Sequence, residues 1–206
     1  MMQQVFKVAI VLTMMCVLSG CVALLTPKVE SNFSALKSGA YRLDKSHASL
    51  LFKVRHLGLS TYVGRFNEFD ATLEFDPNNM QDSQLTALID MTSLDINDDN
   101  LSSTLAGVSW LNSGRYPQAQ FQSSKVKPIN DSEFEFSGEL SWRGNSKELI
   151  VTANFEGGAF DVLTQKYKLG FSAEAEFLRS DFGMDAFIPL VGDKIQIETY
   201  VEFIRN

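Results

Sequence analysis

The chain is poor in the residues that carry covalent and metal chemistry. It has two histidines, His47 and His56, and two cysteines, Cys16 and Cys21, in 206 residues. No Cys/His cluster exists, which argues against a structural zinc site. Two histidines without a carboxylate motif do not compose a metal centre either. No serine or cysteine sits in a recognisable nucleophile elbow. Concentrated basic charge is also missing. The 18 Lys and Arg residues are scattered through a chain of net charge −7, whereas a phosphate-binding surface needs them gathered, so nucleic acid is not an expected partner. The acidic balance reads as a self-repelling, water-facing surface. Internal repeats and low-complexity segments are absent. The apolar run at residues 8–17 is too short to span a bilayer comfortably as a helix, which needs about 20 residues.

That run has a different meaning. Lys7 gives a weakly basic start, the apolar stretch follows, and Leu18-Ser19-Gly20-Cys21 places small residues before a cysteine. This order predicts a secretory signal over residues 1–20, to be left out of the fold. The ending resembles a bacterial lipoprotein lipobox, which implies that Cys21 is lipidated and becomes the new N-terminus. An ordinary signal with an incidental Cys21 is the alternative. Val22 in place of Asp implies an outer-membrane destination, with the domain facing the periplasm. Each methylene of an acyl anchor contributes about 0.8 kcal/mol in the bilayer. Cys16 would leave with the signal, so the mature chain has no pair for a disulfide even where one is permitted.

Residues 21–39, rich in Ser, Lys, Asn and Gly, read as a tether. From residue 40 to residue 206 the pattern is that of a sheet. Tyr167, Leu169, Phe171, Ala173, Ala175 and Phe177 fall on one face of a strand, and Lys168, Ser172, Glu174 and Glu176 on the other. Alternate side chains point to opposite sides, so such a run lies between an apolar space and water. Similar faces recur at Leu50, Phe52 and Val54; at Ala71, Leu73 and Phe75; at Leu85, Ala87, Ile89 and Met91; and at Ala119, Phe121 and Ser123. Phe134, Phe136, Gly138, Leu140 and Trp142 form the next, then Leu149, Val151, Ala153 and Phe155, and Ile195 to Phe203 repeats it near the end. Between residues 98 and 112 the spacing of Leu101, Leu105, Val108 and Leu111 turns helical, with Asp98 or Asp99 available as N-cap. Many short strands suggest a sandwich or a barrel. A barrel removes exposed edges, and at about eight strands its interior is either packed or holds one small ligand. The 16 phenylalanines, all but Phe6 beyond the signal, fit an aromatic-lined bore and a solid core equally well.

Ordered landmarks then make a resemblance. Tyr41-Arg42-Leu43-Asp44 with His47, Ser49, Phe52, Val54 and His56 is followed by Gly64-Arg65-Phe66 and Phe69, then Ser93-Leu94-Asp95. Tyr116-Pro117, Phe121, Ser123-Ser124, Gly138-Glu139-Leu140, Gly144 and Arg179-Ser180-Asp181-Phe182-Gly183-Met184 complete the series. Together they resemble the YceI-like family over nearly all of the chain from Tyr41 onward. Two segments depart from it: Leu101-Ser102-Ser103-Thr104-Leu105 lacks the more charged family sequence, and Ser141-Trp142-Arg143 replaces a Thr-aliphatic pair.

The resemblance implies an all-β fold, an extended antiparallel eight-stranded lipocalin-like barrel with one or two short helices. It also implies a non-enzymatic binder of a long-chain apolar lipid, a polyisoprenoid (isoprenoid quinone or prenyl phosphate) or a fatty amide. No cofactor beyond that lipid is expected. The expected tunnel lining is Phe52, Val54, Phe66, Ile89, Met91, Phe121, Phe136, Leu140, Phe155, Phe171 and Phe177. Trp110 and Trp142 stand either at a tunnel mouth or in edge packing, and Arg179 with Asp181 fixes a turn. Three rivals remain. One is a packed structural lipoprotein that scaffolds an unknown protein partner. Another is an enzyme built on His47 or His56 with Asp44 or Asp95, although a lone histidine on such a face is more often a hydrogen-bonded core residue. The third is a transmembrane barrel, which would turn its apolar side chains outward.

Overall fold

Period-two alternation places each strand with one wet and one dry face, and the strands join edge to edge until the sheet closes. The computed structural model describes residues 26–206; the signal reading of residues 1–20 and the anchor Cys21 lie outside the described residues. The strands are β1 (Gly39–His56), β2 (Ser60–Phe66), β3 (Phe69–Phe75), β4 (Gln84–Asp90), β5 (Leu94–Asp95), β6 (Gln118–Pro128), β7 (Glu133–Trp142), β8 (Asn145–Asp161), β9 (Lys166–Leu178) and β10 (Val191–Arg205). All pairings are antiparallel. The ring runs β1-β3-β4-β6-β7-β8-β9-β10 and closes by β10 pairing with β1. This is the eight-stranded barrel that the family resemblance implies, and it decides for a barrel over the sandwich that the alternation also allowed.

Strand β1 is long enough to serve two neighbours. Its first residues pair with β3 and its later ones, from Leu50 to His56, with β2. Short β5 then adds to β2, so β2 and β5 extend the wall beyond the ring. The one α-helix among the described residues, α1 (Asp99–Leu105), is capped by the Asp98 side chain, which accepts from the Leu101 amide. It occupies the first part of the helically spaced stretch 98–112, with Leu101 and Leu105, while Val108 and Leu111 fall in the turns that follow. The β7–β8 hairpin turns on Arg143 and Gly144, both with positive φ, the conformation a two-residue turn needs to match strand twist.

Buried residues follow the alternation. Leu169, Phe171, Ala173 and Ala175 of β9 are buried, as are Phe134, Phe136, Leu140 and Trp142 of β7. The outer wall is charged: Lys194 pairs with Glu176, Lys53 with Glu198, and Lys168 with Asp44 and Glu202. A lipid-facing barrel carries apolar side chains outward, so this wall is built for water. No helix among the described residues is long and apolar enough to cross a membrane.

One expectation fails. The stretch read as a tether packs on the barrel from Glu30 onward. Glu30 exchanges two backbone hydrogen bonds with Gly158, at 2.7 and 2.9 Å. A short 3-10 turn (Phe33–Ala35) follows, and Leu36 is buried. The lone apolar positions of this segment lack strand or helix periodicity because it docks as an irregular plug.

Candidate functional site

One end of the barrel is filled by aromatic rings. Phe33 meets Phe75, Phe134 and Phe155 with centroids 5.4, 4.7 and 5.6 Å away. Phe155 and Phe75 both meet Phe171, and Phe171 meets Phe203. Phe155 lines neither cavity described below. Its expected place in the tunnel is therefore corrected: it belongs to the plug, because the bulge after it turns β8 toward the N-terminal segment.

Beyond the plug the bore is open. An inner cavity of about 190 Å³ lies within the ring of strands, and an outer cavity of about 350 Å³ lies toward α1 and the β9–β10 connection. Each is larger than an apolar cavity of about 150 Å³ known to admit benzene. Phe66, Met91, Trp142, Phe177 and Ile197 line both, so the two meet end to end. Of the expected lining residues, Ile89, Phe121, Phe136, Leu140 and Phe171 face the inner cavity, and Phe52 and Val54 the outer. Phe66, Met91 and Phe177 stand at the junction.

Room exists because small residues stand at inward positions. Ala71 pairs with Ala87 across β3 and β4, and Ala153 with Ala173 across β8 and β9. These strand pairs lie opposite one another in the ring, and all four alanines line the inner cavity. A run of alanines is an ordinary buried strand to sequence reasoning, so this signal was missed. The polar residues of the inner lining, besides Trp142, are Thr199 and Glu174, and Glu174 is exposed on the outer face of β9. An apolar wall with few donors suits a hydrocarbon, which has nothing to pair with them.

The outer cavity is bounded by Leu101, Leu105, Trp110 and Leu111 on one side and by Arg179, Met184 and Val191 on another. Trp110 stacks on Phe187 at 6.0 Å, and the Arg179 guanidinium sits 5.3 Å over the Trp110 ring. Trp110 thus stands at the outer end and Trp142 at the junction. Arg179 is 2% exposed, and burial lowers its pKa from the usual arginine range. It donates to the carbonyls of Gly192, Met184, Ala186 and Val191. These bonds hold the loop before β10 in place, as a turn-fixing residue should. Asp181 is not its partner; it faces Lys147 at 3.5 Å.

Neither histidine is a core residue, and for His56, which strand parity places with Leu50, Phe52 and Val54, that corrects the expectation. His56 is exposed at the end of β1 and edges the outer cavity. His47 is exposed on the outer wall, its Nδ1 3.0 Å from Asp44. Both sit where β1 leaves regular pairing, which parity cannot foresee. Asp44, His47 and Glu202 bring ligand-type atoms within 4.8 Å of one another, but the Lys168 ammonium already bonds both carboxylates, at 2.8 and 2.9 Å. Burial pushes the Asp44 carboxyl up, yet the bonds from Lys168, His47 and the Ser46 amide outweigh it and hold the group below the usual range. The cluster pins the β1 bulge.

The family model described as the YceI-like domain matches residues 41–203. The protein YceI of Escherichia coli O6:H1 is 31% identical over 168 residues, covering 81% of this chain and 87% of that one. Burkholderia cenocepacia BcnA superposes with a TM-score of 0.71 at 22% identity, over 78% of this chain and 98% of its own. A polyisoprenoid binding domain from Saccharophagus degradans, implicated in plant cell wall breakdown, gives 0.63 at 12% identity, over 82% of this chain and 100% of its own.

Proposed function

The chain belongs to the YceI-like domain family, and on that premise we propose that it binds, and carries or stores, a long-chain apolar lipid in the bore of its barrel. The ligand class is a polyisoprenoid or a fatty amide. One observation carries the reading: two apolar cavities meet end to end inside a wall whose outer face is charged. The neighbouring fold named for polyisoprenoid binding supports the same class. No catalytic group enters this role, and the protein acts as a binder without enzymatic activity.

The energetics suit exchange. One five-carbon isoprene unit gains on the order of 3–4 kcal/mol when moved from water into an apolar site. Several units in sum would exceed any realistic affinity. A lipid leaving a membrane is already dry, so transfer into the bore is close to neutral and reversible. The anchor completes the proposal: Cys21 holds the protein to the outer membrane with the barrel on the periplasmic side, a reading that rests on Leu18-Ser19-Gly20-Cys21.

The test is organic extraction of the mildly purified protein followed by mass analysis. A long-chain lipid near one per barrel is the expected result. Protein that is folded yet free of any small molecule, by native mass spectrometry as well, would favour a packed scaffold for a protein partner and overturn the proposal.

A further inference from the structure

Trp142 carries a hydrogen-bond donor with nothing to bond. It closes β7 immediately before the Arg143-Gly144 turn, is 5% exposed, and lines both cavities where they meet. Its ring is braced by Phe182 at 5.7 Å. The indole Nε1 is sealed from solvent without an acceptor, and no other buried side-chain nitrogen or oxygen among the described residues is in that position. A buried donor left unpaired is costly, and buried tryptophans ordinarily find a partner for the N–H. Phenylalanine or leucine would line the junction without that cost.

We infer that Trp142 is a specificity-determining residue, whose indole N–H donates to an uncharged acceptor oxygen, of carbonyl type, on the bound lipid. The inference rests on the lipid-binding reading above and narrows it. A pure hydrocarbon leaves the donor orphaned; a chain bearing a quinone or amide carbonyl near one end satisfies it. A charged phosphate is disfavoured, because among the described residues the one lysine or arginine lining the two cavities, Arg179, already gives its N–H groups to four carbonyls, His56 lies at the exposed rim of the outer cavity and not at the junction, and a buried anion needs a free partner. The N–H is covered by its neighbours as the barrel stands, so an occupant must part them to reach it.

The test compares oleamide with the corresponding alkene that lacks the amide, both presented from phosphatidylcholine vesicles to the uniformly ¹⁵N-labelled protein. Of the two indole N–H resonances, that of Trp142, assigned from Trp142→Phe, should move downfield with the amide and stay in place with the alkene. Trp142→Phe should lose roughly tenfold more affinity for the amide than for the alkene. Bound amide with an unmoved Trp142 resonance, or equal losses for both ligands in the variant, would overturn the inference and leave the lipid-binding reading standing. If neither ligand binds the parent protein, the lipid-binding reading itself falls and this inference with it. Should Trp142→Phe fail to fold, the parent's indole resonances still decide, because the Trp110 signal can be assigned from Trp110→Phe.

Discussion

Gly138 shows how one residue can hold a strand pair in register. It sits opposite Ser123, where β6 bulges before Lys125. A Cβ on it would lie 2.2 Å from the Gln122 carbonyl oxygen and 2.7 Å from the Ser123 Cα. Both obstacles are backbone, so they cannot rotate away. Gly138→Ala should destabilise the barrel by about 2–3 kcal/mol, read as a lowered midpoint in urea denaturation. Charge matters as sharply at Asp44, where the lowered pKa of the carboxyl sets a pH window. The contribution of a carboxylate whose folded pKa lies below its unfolded one is present above the usual aspartate range and fades as pH falls through the folded value. Burial lowers the Lys168 pKa, but the bonds it donates to Asp44 and Glu202 more than compensate and raise it, so its contribution holds below the usual lysine range and fades above it. The cluster should therefore act fully between about pH 4 and pH 10. Asp44→Asn is expected to cost about 1–3 kcal/mol at pH 7, with the gap to the parent closing in acid. A gap that persists at pH 2 would count against the carboxylate as its source. His47 and Lys168 were legible as polar residues of β1 and β9, but their meeting was not, because the bulge at residues 44–47 obeys no periodicity.

Among the elements, the strands were the most legible and the N-terminal segment the least. Period two named the inward residues of β7, β8 and β9 directly, and the helical spacing after Asp98 located α1. The segment from Glu30 to Leu36 had no such signature. It is held by two glycines: a Cβ on Gly157 would meet Val29 at 2.4 Å, and one on Gly158 would meet Leu36 at 2.6 Å. Phe33 then closes the end of the barrel over Phe75, Phe134 and Phe155. Phe33→Ala should uncover those rings, cost about 2 kcal/mol on the scale of partly buried phenylalanines, and raise binding of a fluorescent apolar dye. Bound lipid should remain, because Phe33 lines neither cavity. If the variant loses its lipid while staying folded, the plug and the bore are one site.

At the scale of the whole molecule the decisive property is emptiness. A barrel of eight strands with inward aromatics fills completely unless some inward positions are small. Ala71, Ala87, Ala153 and Ala173 supply that deficit on opposite walls. The double variant Ala153→Leu with Ala173→Leu should fill the inner cavity. Its stability should match or exceed the parent's by about 0.5–2 kcal/mol, as cavity filling commonly gives. Its bound lipid, by extraction and mass analysis, should fall at least about tenfold, a loss of only 1.4 kcal/mol. Full lipid occupancy in the folded double variant would move the binding site to the outer cavity.

The order of residues alone determined which side chains face inward, that ten-residue stretches alternate as strands, and where α1 begins, because each follows from a repeat of two or 3.6 residues along the chain. Landmarks from Tyr41 to Met184 likewise carried the family. Whether the inward rings touch or stand apart is a matter of distances across the barrel, and no local pattern encodes those. Only the closed ring, with alanine pairs facing each other and Phe33 stopping one end, decided that Phe155 is packed and Phe171 borders open space. It also left one indole N–H at the junction with no partner.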